Sequence, residues 1–236
     1  MNKIPFFIGN LVACFVPNNR RRERVRGRIN LFLFRPYVSR FIKSVYGEKV
    51  KSLKLVRQRT LKRVIFVVND KYYIKVFRSV TKQALFDFIE LMDIVRKVIP
   101  VEVPVMVVDK KIPMYACVKN TGRGIHSFDK QFVLKHQAKI HKQIHNIIKQ
   151  LQTIDVDKIP NNERFIKDIQ GRCRLGKPDS DCRGVLAHFD MNPSNFLFDD
   201  DLNVTAVIDW DNISVTYDVD SDWLMFNKNW DIYASK

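Results

Sequence analysis

The chain has 236 residues, 41 Lys+Arg against 25 Asp+Glu, and a formal net charge of +16. With 46% hydrophobic and 28% charged residues it has the balance of a globular protein, and 8 Gly with 9 Pro exclude a fibrous or linker-rich one. The four cysteines, at 14, 117, 173 and 182, form no CxxC pair and are too sparse for a disulfide scaffold, so free thiols in a reducing compartment are expected. The length allows one large domain or two small lobes sharing a cleft.

The charge is unevenly placed. Residues 1–78 hold 20 Lys+Arg against 3 Asp+Glu, +17, whereas residues 79–236 hold 21 against 22, −1. The first third of the chain therefore expects an anionic partner. Residues 4–16 are apolar apart from Asn10, but 13 residues cannot cross a hydrocarbon core that needs about 20. Leu11-Val12-Ala13-Cys14 has the look of a lipoprotein cleavage box, yet only Lys3 precedes it and the cations of Arg20 to Arg28 follow it, the wrong order for export. The expectation is an interfacial segment, with apolar residues at the headgroup boundary and Arg20, Arg21, Arg22, Arg24, Arg26 and Arg28 meeting anionic lipid. Residues 29–46 mix aromatics and cations in the same way. The competing reading is a helix packed on the domain with a solvated basic face. No RNP, zinc-finger or KH pattern supports nucleic acid as the partner.

From Val50 the pattern changes. Residues 54–57, 64–68 and 72–77 are rich in β-branched and aromatic residues and read as strands, with Asn69-Asp70-Lys71 as the turn of a hairpin. Residues 81–98 have apolar positions at 84, 85, 88, 91, 92 and 95, which is helical spacing, with Thr81 as N-cap and Pro100 beyond the end. Residues 101–108 and 113–118 read as two more strands. After Gly122 and Gly124, residues 128–151 read as one long helix or a bent pair. Residues 155–183 are irregular, with a helix near 163–169. A β-rich run starts at Gly184 and continues through 196–198 and 204–208, and the C-terminus is acidic and aromatic.

The chemistry-bearing stretch is His188-Phe189-Asp190-Met191-Asn192-Pro193-Ser194-Asn195, followed by Val207-Ile208-Asp209-Trp210. Its skeleton is H-x-D-x-x-x-x-N, a hairpin, and an apolar strand ending in Asp. ATP-dependent phosphoryl transfer needs such a set: one carboxylate to orient an acceptor hydroxyl and take its proton, and an amide oxygen with a second carboxylate to hold Mg²⁺ against the triphosphate.

This segment resembles the catalytic loop of the aminoglycoside phosphotransferases and choline kinases, whose usual form is H-G-D-x-x-x-x-N, a hairpin, then I-D-apolar. The likeness covers residues 50 to about 226. It implies an α+β, bilobal, protein-kinase-like fold: an N-lobe of antiparallel sheet plus helix over 50–119, and a mainly helical C-lobe with catalytic β-hairpins over 120–236. A basic amphipathic arm, 1–49, precedes them. The resemblance makes Asp190 the base or hydroxyl-orienting residue, Asn195 and Asp209 the Mg²⁺ ligands, and His188 a brace of the loop. It makes Lys75, in YYIKVF, the lysine of the nucleotide phosphates and Glu90 its ion-pair partner. Residues 114–119 become strand and hinge, where the backbone of Ala116 and Val118 reads adenine. Asp222, before Trp223-Leu224, corresponds to a bracing Asp. His141 and His145 stand four apart, but with no third ligand or HExxH they are not read as a zinc site.

Three departures stand out. The phosphate loop, 57–63, has no glycine, which leaves Thr60, cations and backbone to hold phosphates. The region between hinge and catalytic loop is compact. Only 27 residues follow Asp209, which suggests a truncated C-terminal subdomain and an open acceptor pocket suited to a large acceptor. The function expected is therefore an ATP- and Mg²⁺-dependent kinase of a hydroxyl on a membrane-associated lipopolysaccharide or surface glycan, cytoplasmic and peripheral on the inner face of the membrane. Residues 6–30 are also similar to N-terminal segments of some surface-glycan glycosyltransferases. Choline or aminoglycosides are the alternative acceptors. The alternative of a different class is a nucleotide-binding regulatory or membrane-docking protein on a kinase fold.

Overall fold

The structure is a computed structural model and describes residues 8, 11–14, 16, 19–59, 63–109, 111–162, 165 and 184–235. Two compact units make up the chain, one of residues 1–86 and 105–119, the other of residues 87–104 and 120–236. Thr60, the glycine-free turn around it and most of the helix expected near 163–169 lie outside the described residues.

The first unit is a helix on a sheet. Helix α1 (Asn19–Tyr46) precedes β1 (Leu53–Arg59), β2 (Arg63–Val68) and β3 (Tyr72–Phe77). Helix α2 (Lys82–Val98) leads out of the unit, and β4 (Met106–Val108) and β5 (Met114–Val118) return to it. The five strands are all antiparallel, in the order β1-β2-β3-β5-β4. Strict alternation sets one face inward: Val64, Phe66 and Val68 of β2, then Tyr72, Ile74 and Val76 of β3, are buried. Against that face lie Phe34, Val38, Phe41 and Ile42 of α1, positions a helix brings to one side. Phe34 and Phe66 meet at 6.1 Å between ring centroids. Residues 29–46 thus share the core of the sheet.

The β2–β3 hairpin turns where expected. Asn69 and Asp70 both take φ near 53°, a left-handed conformation these short polar residues tolerate. The Asn69 side chain accepts from the N–H groups of Lys51 and Ser52, at 2.8 and 3.1 Å, and so ties the start of β1 to the turn. Helix α2 begins as predicted, the Thr81 hydroxyl accepting from the Ala84 N–H at 3.1 Å. The strand expected over 101–108 is shorter. Pro104 has no N–H to give a ladder, and only Met106–Val108 pairs with β5.

The second unit carries β6 (Arg123–Gly124), α3 (Lys130–Lys135), α4 (Gln137–Gln152), β7 (Val185–Ala187), β8 (Phe196–Phe198), β9 (Val204–Val207), β10 (Ser214–Thr216) and α5 (Ser221–Ser235). The stretch 128–151 is a bent pair: Asp129 caps α3 by accepting from Phe132 N–H, and His136, with φ −101° and ψ 14°, separates α3 from α4. Ile140, Ile144, Ile147, Ile148 and Leu151 form the buried stripe of α4.

Small ladders complete the unit, β6-β8-β9 and β7 with β10. Gln143 of α4 clasps the β8–β9 hairpin, donating to Leu202 O at 3.0 Å and accepting from Val204 N–H at 2.9 Å. Glu102 adds a parallel bridge to β9: its N–H donates to Thr205 O and its carbonyl accepts from Val207 N–H. Gly122, with φ +102°, lies where a Cβ would overlap the Thr205 hydroxyl, so the approach of the β6 turn to the hairpin requires glycine.

Candidate active site

Strand β7 delivers His188 into the core of the second unit, where it is fully buried. Its ring is bonded at both nitrogens. Nδ1 accepts from the Asp190 N–H at 3.2 Å, so the proton sits on Nε2, which donates to Ile208 O at 3.2 Å. The ring also packs against Trp210, 4.5 Å between centroids, and the Trp210 indole N–H donates to Val207 O at 2.8 Å. His188 therefore joins the start of the loop to the end of β9. It holds atoms in place and presents no free nitrogen for proton transfer.

Asp222, in the first turn of α5 and fully buried, clamps the same loop from the other side. Its two oxygens accept from the backbone N–H groups of His188 (2.7 Å) and Phe189 (2.9 Å). Burial pushes its carboxyl above the usual range, against the pull of His188 and the two N–H groups. Phe189 takes φ 56°, the position where the resembled motif has glycine. The backbone is held there by the Asp222 bond on one side and the Asp190–His188 bond on the other.

The rest of the loop closes on itself. Asn192 N–H donates to Asp190 O at 2.7 Å, and the Asn195 N–H donates to Asn192 O at 2.8 Å. The Asn192 side chain accepts from both the N–H and the hydroxyl of Ser194. Asn195 donates through Nδ2 to Asp190 O at 2.7 Å, which fixes its amide and leaves Oδ1 as an oxygen ligand. The Ile208 N–H donates to Asn195 O at 2.9 Å, so the residue after it, Asp209, is carried back beside the loop. Asp209 itself takes φ 62° and ψ 49°.

The structure thus brings His188, Asp190, Asn195 and Asp209 together in one unit, with Asp222 as their clamp. Asn195 and Asp209 offer hard oxygen donors. Two protein ligands suit Mg²⁺, which keeps several waters and takes its remaining ligands from phosphates. Among the described residues no group of three or more His, Cys, Asp or Glu could hold a metal, which leaves His141 and His145 without a third ligand. His141 instead lies edge-on to Trp223, Phe226 and Trp230 of α5, at 5.8, 5.2 and 4.7 Å.

The other expected site residues are placed as follows. Lys75 lies in β3, half-buried, with its ammonium 5.8 Å from the centroid of the Tyr115 ring. Glu90 is exposed on the part of α2 that belongs to the second unit. Ala116 is buried, with ladder partners on both sides, Ile74 and Val107. Val118, exposed at the end of β5, pairs with Tyr72 but lies past the last residue that β4 covers.

One feature gave no signal in the sequence. A half-open cavity of about 400 Å³ abuts the loop after His188 within the second unit, walled by residues 192–194, by His126, Phe128 and Lys130, and by Asn229, Ile232 and Tyr233 of α5. Its walls come from three separate stretches of chain with no shared motif. The aromatic C-terminus was their sole trace.

Comparison with known proteins agrees with this geometry. Residues 120–219 match the model of the phosphotransferase enzyme family. No curated protein matches the chain. Among solved structures, the GDP and kanamycin complex of APH(2'')-IIia is 13% identical with a TM-score of 0.59, covering 85% of this chain and 83% of that one. The apoenzyme of macrolide 2'-phosphotransferase MphH from Brachybacterium faecium is 14% identical, TM-score 0.56, covering 83% and 81%. The streptomycin–ATP complex of APH(2'')-IIa is 15% identical, TM-score 0.55, covering 80% and 75%. The segment 120–219 is similar to the phosphotransferase enzyme family, and the chain is built on the protein-kinase-like fold seen in the aminoglycoside and macrolide phosphotransferases.

Proposed function

We infer that the chain is an ATP- and Mg²⁺-dependent phosphotransferase acting on an alcohol hydroxyl. The observation that carries this reading is the loop in which His188 and Asn195 hold the Asp190 backbone by bonds of 3.2 and 2.7 Å, while Asp222 holds the two residues before it. A loop so fixed presents the Asp190 carboxylate at a set position, and positioning accounts for most of phosphoryl-transfer catalysis.

In the reaction, Asp190 accepts a hydrogen bond from the acceptor hydroxyl and orients its oxygen in line with the γ-phosphorus. The bond from that oxygen to phosphorus forms as the bond to the β,γ-bridging oxygen breaks. The proton passes to the Asp190 carboxylate and then to solvent, and ADP leaves. Asn195 Oδ1 and the Asp209 carboxylate would hold Mg²⁺, which supplies charge neutralisation to the phosphates. Lys75 would serve the phosphates, with Glu90 as the partner that holds it. For adenine, Val118 suits the role better than Ala116, because β4 stops short of it and Ala116 has ladder partners on both sides. Thr60 would contribute a hydroxyl to the phosphates.

We place the acceptor on a membrane-associated glycan. The support is α1. Opposite its packed face, Arg21, Arg24, Arg28, Arg35 and Lys43 are exposed at helical spacing, and Phe32, in their midst, is 78% exposed. A cationic face with a central aromatic suits an anionic bilayer surface. No described helix is long and apolar enough to cross a membrane.

The test is ADP release with Mg²⁺ over lipooligosaccharide, sugars, choline and aminoglycosides. Asp190→Asn should lower kcat on the accepted substrate by on the order of 10²–10⁴-fold. Wild-type turnover equal to the Asp190→Asn background on every acceptor would favour a nucleotide-binding regulatory protein instead.

A further inference from the structure

The cavity beside the catalytic loop has a chemistry of its own. One wall is the loop itself, residues 192–194, between the proposed base and the first metal ligand. Phe128, Ile232 and Tyr233 offer apolar and aromatic surface. Asn229 offers an amide held from behind, its Nδ2 donating to Met191 O at 3.2 Å, which leaves Oδ1 as an acceptor. Lys130 brings a full positive charge, and His126 packs edge-on to Tyr233 at 5.3 Å. Behind the wall, the Arg123 guanidinium sits 4.3 Å over the Phe128 ring. The volume, about 400 Å³, is that of a small-ligand pocket.

None of the described residues that line the cavity carries a carboxylate. Asp190, two residues before the wall, is the proposed base for the acceptor hydroxyl. Asp129 caps α3 through the Phe132 N–H, and burial, with the Asp129 charge adding to it, holds the Tyr233 hydroxyl above its usual range, so that the phenol stays a neutral donor. Asp222 is enclosed and bonded to the loop. An aminoglycoside calls for carboxylates around its ammonium groups, and choline for aromatic faces with an acid beside them; here either cation would meet the Lys130 charge. A sugar ring fits: an apolar face for the aromatics, hydroxyls for the amide and phenol, and an anionic substituent for Lys130.

We propose that this cavity is the acceptor subsite and that it takes a saccharide unit bearing an anionic group, such as a phosphorylated sugar, in preference to a cationic amine. The assignment rests on the phosphotransferase reading for its function, but the ligand class rests on the cavity alone.

Saturation-transfer NMR on the full chain, without nucleotide, separates the two. The probe is glucose 1-phosphate, with kanamycin and choline as comparators. Glucose 1-phosphate should bind, and Ile232→Trp, a filling change at a 44%-exposed position, should abolish the signal. Lys130→Glu should weaken it by about 3- to 10-fold, the range of one exposed charge contact turned repulsive, without altering the melting temperature. Stronger binding of kanamycin or choline that Ile232→Trp removes would overturn the proposal. So would glucose 1-phosphate binding that ignores Ile232→Trp, or no binding at millimolar probe. Turnover is read separately: Ile232-dependent binding without any Asp190-dependent turnover would keep the subsite and sink the phosphotransferase reading.

Discussion

In the loop from His188 to Asp209, position is set by directional bonds: both nitrogens of His188, both oxygens of Asp222 and the amide of Asn195 are assigned partners within 3.2 Å. In α1, one face is fixed by packing, and the other holds a row of exposed cations around Phe32. The first region can tolerate almost no change of atom type, because each lost partner leaves a buried donor or acceptor unpaired. The second can change one charge at a time, because long-range attraction to a surface adds up from weak parts. The contrast separates the proposed reaction site, ordered by directional bonds, from the proposed membrane-facing surface, built of exposed charges.

The sharpest way to break that contrast is at Asp222. Asp222→Ala leaves two backbone N–H groups buried without acceptors, and should cost about 2–6 kcal/mol in urea unfolding. Displacing the loop by about 1 Å should also lower kcat on the order of 10²-fold. Asp222→Asn keeps one acceptor oxygen and should fall between the two on both measurements. A wild-type kcat in Asp222→Ala would show that the loop holds its shape without the clamp.

Within α1 the two faces should respond oppositely. Phe34→Ala removes a ring packed on Phe66 and should destabilise by about 3–5 kcal/mol. Arg28→Gln or Arg35→Gln should leave stability within about 0.5 kcal/mol, yet each should lower partition onto anionic vesicles by about 5-fold at low salt. Equal vesicle binding by wild type and the double variant would sink the membrane address and leave α1 as a packed helix alone.

These differences also explain what the sequence made legible. The loop was readable because its chemistry forces residue types at fixed spacing: a carboxylate at 190, an amide at 195 and a carboxylate after a hairpin at 209. The sheet was readable because β2 alternates throughout and β3 alternates from Tyr72 to Val76. Of the strand expected at 101–108 only 106–108 formed, because Pro104 lacks an N–H and Glu102 bonds instead across to β9. The cavity beside the loop was not readable either. Asn229, Ile232 and Tyr233 line it because α5 lies against residues 192–194, and no local pattern encodes that approach. Charge asymmetry pointed to α1, but not to which face of it would be solvated.

The smallest expected effect ties the clamp to its supporting helix. His141 of α4 sits among Trp223, Phe226 and Trp230 of α5, and burial lowers its pKa below the ordinary histidine value, with the Asp231 carboxylate opposing that shift. The unfolded chain therefore binds more protons at this residue from about pH 6.5 downward, and stability should be full above that pH and decline as pH falls. The loss should be modest, because the imidazole is only partly enclosed. His145, which lies against Trp223 at 4.8 Å but is exposed, is the control. In urea titrations between pH 7.5 and 5.5, His141→Phe should flatten the decline in midpoint and His145→Gln should leave it unchanged. Because α5 also carries Asp222, any loosening at His141 should reach the catalytic loop, so acid should lower kcat more steeply in the wild type than in His141→Phe. Identical pH profiles of stability and turnover in the two would place the acid sensitivity elsewhere and show that the clamp does not depend on the aromatic nest beneath it.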